Sequence, residues 1–138
     1  MSVLVFIEFK NKVNKAALEA VSYGSKIGKV SVVTYGDINP SDLEILGKYG
    51  AERILIHKGL AANNDQQITK LISSASEQEG SNVIILAQDQ IGKTIGPRVA
   101  ARLAAGHVSG AIDLPDTSNG FVVKTNVYSG KAFAHIAI

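Results

Sequence analysis

Cysteine is absent from this 138-residue sequence, and its absence removes several chemistries at once. Disulfides, thiolate metal sites, iron–sulfur clusters and cysteine nucleophiles are all excluded. Aromatic residues are scarce, four Tyr and four Phe making up 6% of the chain, and most lie within apolar runs. No sign of charge dominates. Residues 1–50 carry six Lys and five acids, residues 51–138 eight Lys or Arg and seven acids, for a net charge of +2. A nucleic-acid surface needs a clustered positive face, often with aromatics for stacking, so no nucleic-acid partner is expected. Long apolar runs are missing too. The opening Val3–Phe9 segment lacks a basic leader, is broken by Glu8, and falls far short of the roughly 20 residues a membrane helix needs. No membrane insertion is expected, and a cytoplasmic location, or a mitochondrial matrix in a eukaryote, is the default.

What is present is a globular composition, 46% apolar and 19% charged, of a length that suits one domain with a real core. Residues 1–138 are expected to form a single α/β domain. Short apolar runs at Val3–Phe9, Val30–Tyr35, Arg53–His57 and Asn82–Ala87 read as parallel strands, the first and the last of them buried. Helical spacing follows each of them. Asn14 caps a segment carrying Leu18 and Val21, stopped by Gly28; Asn39-Pro40 opens one with Leu43 and Leu46, closed by Gly50. Asn64 caps a third, with Ile68, Leu71, Ile72 and Ala75, ending near Gly80. The fourth runs from Thr94 to Ala105, ended by Gly106. Strands alternating with helices give a three-layer, doubly wound, mostly parallel sheet. After Gly106 the helices cease. His107–Asp113, Gly120–Asn126 and Lys131–Ile138 read as strands of an antiparallel edge, with turns at Asp116–Gly120 and Ser129-Gly130. Ile138 falls inside an apolar strand pattern, which suggests a longer parent protein.

The segment Ala87-Gln-Asp-Gln-Ile-Gly-Lys-Thr94 has a phosphate-binding look. Gly92, Lys93 and Thr94 match the second half of a P-loop, but the first glycine position is Ala87, and no later strand offers a magnesium-holding Asp. In an open parallel sheet, ligands sit beyond the carboxyl ends of the strands, where strand order switches. The loops Glu8–Asn14 and Gln88–Thr94 would meet there, so Gly92, Lys93 and Thr94 stand as an anion or nucleotide loop, against a plain strand-to-helix turn capped by Thr94. His57, His107 and His135 are isolated and lack a second ligand at metal spacing. Gly24-Ser-Lys-Ile-Gly28 places its serine inside a helix, and Asp113 and Asp116 read as turn residues flanking Pro115. Neither a catalytic residue nor a metal site is expected. Arg98 and Arg102, four apart, share one helix face that is either solvated and salt-bridged or a ridge facing a partner.

Taken together, Val83-Ile-Ile-Leu-Ala, Gly92-Lys-Thr-Ile-Gly-Pro-Arg-Val-Ala-Ala-Arg-Leu103 and Gly106-His-Val-Ser-Gly-Ala-Ile resemble the alpha subunit of electron-transfer flavoproteins. Gly92, Pro97, Arg98, Ala100, Ala101, Arg102, Leu103, Val108 and Ser109 match the family motif. Lys93 and Thr94 stand where the family has Arg-Asp, so no charge pairing is carried over there. The opening strand with Glu8, Gly50-Ala-Glu-Arg-Ile-Leu-Ile and Tyr128-Ser-Gly-Lys-Ala are similar as well, so the resemblance covers essentially the whole chain. It implies a Rossmann-like or adenine nucleotide alpha hydrolase-like fold. It also implies an electron carrier rather than an enzyme: a heterodimer with a beta subunit holding FAD. Such a carrier takes electrons from acyl-CoA dehydrogenases, as in fatty acid oxidation, and passes them to a quinone reductase. The chain resembles the N-terminal, subunit-facing scaffold domain. The FAD-holding C-terminal domain is not part of it, so no flavin-contacting residue is assigned and the piece alone is expected to bind little or no FAD. The alternative is a stand-alone AMP- or ATP-binding module of universal stress protein type, which shares the sheet plan, although Gln88–Gly96 lacks that family's glycine-rich loop.

Overall fold

A computed structural model describes residues 1–9, 12–59 and 64–138. They form two compact units, Met1–Ala87 and Gln88–Ile138.

The first unit holds strands β1 (Ser2–Phe6), β2 (Lys29–Tyr35), β3 (Ala51–His57) and β4 (Val83–Leu86), with helices α1 (Lys15–Ser25), α2 (Pro40–Lys48) and α3 (Asp65–Glu79) between them. The sheet is parallel, in the order β3-β2-β1-β4. Right-handed crossovers put α1 and α2 on one face and send α3, which returns the chain past β1, to the other. The packing agrees. Val3, Val5, Val30 and Val32 join Ala17, Ala20, Val21 and Leu46 in one core. The alternate residues Leu4, Phe6 and Val33 turn away from it, and α3 packs on β1 and β2, burying Ile68 and Ile72. A strand covered on both faces needs apolar side chains at consecutive positions, as β1 has from Val3 to Phe6.

Local chemistry sets most boundaries. The side chains of Asn14 and Asn64 accept hydrogen bonds from the amides of Ala17 and Gln67, and Pro40 sits at the first position of α2. Gly80 closes α3 in the left-handed region, φ +62°, a conformation that costs glycine nothing. Two strands differ from expectation. β1 ends at Phe6 rather than Phe9, and β4 is half-buried rather than fully buried, because within the described sheet only β1 pairs with it.

The second unit holds α4 (Gln90–Leu103) and an antiparallel pair, β5 (Val122–Val127) and β6 (Ala132–Ala137). The expected antiparallel C-terminal strands are present, and they form a two-stranded sheet of their own. The expected strand His107–Asp113 does not form; only an isolated bridge joins Ala111 to Thr125. The reason is visible in the bonding. The Thr125 hydroxyl lies 2.9 and 3.0 Å from the carbonyl oxygens of Ser109 and Gly110, claiming groups that a ladder would use, and Gly110 takes φ +72°. Helix α4 also ends earlier than expected. Ala104, not Gly106, takes the left-handed capping position at φ 51°.

Candidate functional site

The anion loop expected at Gly92, Lys93 and Thr94 is not a loop. All three lie in the first turns of α4, which begins at Gln90. Thr94 is not the cap either. Asp89 is, its carboxylate accepting a hydrogen bond from the Gly92 amide at 2.7 Å. The Lys93 amide bonds to the Asp89 carbonyl at 3.0 Å, and the Thr94 hydroxyl donates to the Gln90 carbonyl at 3.0 Å. Helix N-termini attract anions because their first amides are unpaired. Here a side-chain carboxylate already fills that role. The signal for it was in the sequence, an Asp three residues before a glycine that opens a helical turn.

Further along α4, Gly92, Ile95, Gly96 and Val99 form the buried side. Arg98 and Arg102 are exposed, with no ion pair among the described residues. His107 sits against the helix. A Cβ built on Gly96 would come 2.9 Å from its Nε2, so the glycine makes room for the imidazole. Beyond it, the Gln88 amide donates to the Ser109 hydroxyl at 3.0 Å. The Asp116 carboxylate accepts from the Ser118 hydroxyl and amide at 2.6 and 3.0 Å, which holds its pKa below the ordinary value of 3.8. Asp113 accepts from the Leu114 amide at 2.8 Å. Both acids are therefore turn-forming groups.

The first unit contributes a row of titratable residues that the sequence reading did not assemble. Glu8, in the segment after β1, acts by its charge on Tyr35, which pairs in register with His57. The row crosses the carboxyl edge of the parallel sheet, where open α/β folds place their ligands. Tyr35 stacks on Phe6, with ring centroids 6.4 Å apart and planes at 17°. The ring is 7% exposed and its hydroxyl has no hydrogen-bond partner among the described residues; the Thr34 hydroxyl, on the opposite face, is likewise unpaired. Lys10 and Asn11, in the loop after β1, lie outside the described residues. No group of three or more His, Cys, Asp or Glu side chains that could hold a metal occurs among the described residues, and no described helix is long and apolar enough to cross a membrane.

Burial, and then the negative charge of Glu8, raise the Tyr35 phenol above its ordinary value of 10.0. The unfolded chain releases that proton near pH 10 while the folded chain keeps it. Stability from this group is therefore full below pH 10 and is lost as pH rises toward the folded value. Tyr35→Phe removes a buried hydroxyl that has no hydrogen-bond partner among the described residues. It should leave the urea midpoint unchanged or raise stability by up to about 1 kcal/mol, and flatten the alkaline limb of a pH–stability curve. A loss of more than about 1 kcal/mol would show that the hydroxyl is bonded after all.

Comparison with known proteins bears on the whole chain. Residues 3–138 match the model of the electron transfer flavoprotein domain. The chain is 30% identical over 140 aligned residues to the electron transfer flavoprotein subunit alpha of Bacillus subtilis, covering 97% of this chain and 43% of that protein. It is 26% identical to protein FixB of Clostridium saccharobutylicum, over 98% of this chain and 43% of that one. A shorter stretch, 56% of this chain and 22% of the other, is 30% identical to the acryloyl-CoA reductase electron transfer subunit beta of Anaerotignum propionicum. The chain thus spans less than half the length of the curated relatives it matches.

Proposed function

The chain belongs to the electron transfer flavoprotein domain family, and on that premise we propose that it is the N-terminal, subunit-binding scaffold of an alpha subunit. The observation that carries the reading is the extent of the match, from residue 3 to residue 138, together with an alignment over 97% of the chain to a protein named as an alpha subunit. In this role the 138 residues form the N-terminal domain of a longer protein. They support an electron carrier rather than perform a reaction, and they contact a beta subunit. The exposed guanidinium groups of Arg98 and Arg102, without an ion pair among the described residues, supply a partner-facing ridge on α4. The electron donors proposed are acyl-CoA-type dehydrogenases, and the acceptor a quinone reductase.

FAD is the group such a family implies, and the residues described here do not fit it. The one anion site the sequence singled out is capped by a carboxylate, so a pyrophosphate at the start of α4 would face the Asp89 side chain. No step through the flavin is derived from this chain; in this reading FAD is held elsewhere in the full heterodimer. The same carboxylate weighs against the stand-alone AMP or ATP module.

Purifying the native protein from its source cell through an N-terminal tag, with intact mass and visible spectrum recorded together, tests the reading. The expected result is a longer, yellow, flavin-containing protein accompanied by a second subunit. A colourless chain of the present mass that binds AMP saturably, and loses that binding on Lys93→Ala, would overturn it.

A further inference from the structure

In the second unit, the outer edge of β6 in the hairpin β5–β6 has no described backbone group hydrogen-bonded to it. Val122 exchanges backbone hydrogen bonds with Asp116 at 2.8 and 3.0 Å, and the Lys124 carbonyl accepts from the Ile112 amide at 3.1 Å. Residues 122 and 124 therefore bond away from β6. Their neighbours Val123, Thr125 and Val127 bond to Ile136, Ala134 and Ala132. It follows that Phe133, His135 and Ala137 direct their amides and carbonyls outward, where no described backbone group meets them.

Proteins blunt such edges with charge, proline or a covering element. One outer strand of the parallel sheet follows that rule, since β3 carries Glu52, Arg53 and His57, whereas the other, β4, reads Val-Ile-Ile-Leu. β6 reads Ala-Phe-Ala-His-Ile-Ala and has neither proline nor a formal charge. Beside it stand two exposed aromatic rings, Phe133 at 58% and Tyr128 at 77%, each under a lysine: Lys124 Nζ is 4.3 Å from the Phe133 centroid and Lys131 Nζ is 5.8 Å from that of Tyr128. Tyr128 is held out by a turn in which it, Ser129 and Gly130 all take positive φ, at 56°, 53° and 79°. A Tyr and a Ser in that region cost the backbone free energy, as residues at binding surfaces often do.

Charge selects the occupant. Residues 117–138 contain Lys124, Lys131 and His135 and no Asp or Glu, in a chain whose signs are otherwise interspersed. A second copy would bring the same two lysines against themselves. We propose that β6 is a docking edge, taking an extended, acidic segment of a partner polypeptide as the next strand of the hairpin sheet. Main-chain bonds to Phe133, His135 and Ala137 supply the pairing, and carboxylates on the added strand meet Lys124, Lys131 and His135. The inference goes beyond the subunit-scaffold reading and does not require it, because it stands on the hairpin alone.

The test is amide hydrogen exchange on the 138-residue chain, followed by NMR, with a blocked heptapeptide of alternating Glu and Val as the probe. A Lys-Val heptapeptide serves as the counterpart. The acidic peptide is expected to slow exchange at Phe133, His135 and Ala137 by about tenfold or more, less so as salt is raised. The basic peptide should give no protection. His135→Pro removes the central outward amide without touching a bond inside the hairpin, and should abolish the effect. Lys124→Glu combined with Lys131→Glu keeps the edge intact and should transfer the preference to the basic peptide. Equal protection by both peptides, protection at other residues, or none at all would overturn the proposal. So would concentration-dependent protection of these amides in the chain alone, which would make the occupant a second copy. None of these readouts involves flavin or a native subunit, so failure here and failure of the scaffold reading are separable.

Discussion

Leu4→Ala should cost the chain about 3–4 kcal/mol, read as a fall in the urea midpoint at unchanged slope. Leu4 is fully buried at the middle of β1, hydrogen-bonded between β2 and β4 with Ser31 and Ile84 as its register partners. Its side chain points to the face that α3 covers, opposite Val3 and Val5. Truncation removes three carbons from a position walled by strands on both sides, where the backbone is pinned and the surroundings collapse poorly. Against a total stability of about 5–15 kcal/mol, that loss is a large fraction, and the variant should be partly unfolded at modest temperature. A cost below about 1.5 kcal/mol would mean that α3 settles into the space, and that its packing on the sheet is looser than described.

The other large effect lies on the opposite face. Gly24 is in the last turns of α1, and a Cβ built there meets Val30 Cγ2 at 3.1 Å, Val3 Cγ1 at 3.2 Å and Val5 Cγ2 at 3.2 Å. Three methyl groups from two strands close the position. For Gly24→Ala two effects oppose each other. Alanine is about 1 kcal/mol better than glycine inside a helix, and the valines must yield a few tenths of an ångström, so the net change should stay within about 1 kcal/mol. Gly24→Leu has no such offset. It forces three further carbons between α1 and the sheet, and should cost about 3 kcal/mol or more. The diagnostic result in thermal melts is the order, glycine and alanine close together and leucine far below. A leucine variant as stable as the parent would show that α1 can lift away from β1 and β2.

Where local chemistry decides a boundary, the sequence was a sound guide. Asn14, Asn64, Pro40 and Gly80 each act within three residues of themselves, and each was found in its expected role. The apolar runs at β1 and β2 likewise announced buried parallel strands, whereas β4, equally apolar, is only half-buried. Legibility failed where a partner distant in sequence intervenes. His107–Asp113 has a strand-like composition, yet the hydroxyl of Thr125 takes the carbonyls that would have built a ladder. Nothing in residues 107–113 records that. The start of α4 was misplaced for a different reason. Gly92-Lys93-Thr94 invites comparison with a phosphate loop, and that comparison hid Asp89, whose capping role follows from ordinary helix chemistry. The row of Glu8, Tyr35 and His57 was invisible because it exists only once β2 and β3 are in register and the segment after β1 lies near Tyr35. The family motif on α4, by contrast, is contiguous, and its resemblance was confirmed along the full chain.

The strand order has a consequence for how the molecule is made. β1 is the first strand to be synthesised, and it lies between β2 and β4. Its pairing with β2 can form once Lys29–Tyr35 have left the ribosome, but its other edge stays bare until Val83–Leu86 emerge. During that interval the apolar strand Val3–Phe6 has a row of unpaired backbone groups while it is still tethered to the translation machinery. The nascent chain is thus most prone to mispairing between β2 and β4, and a pause in translation at that stage would prolong the exposure.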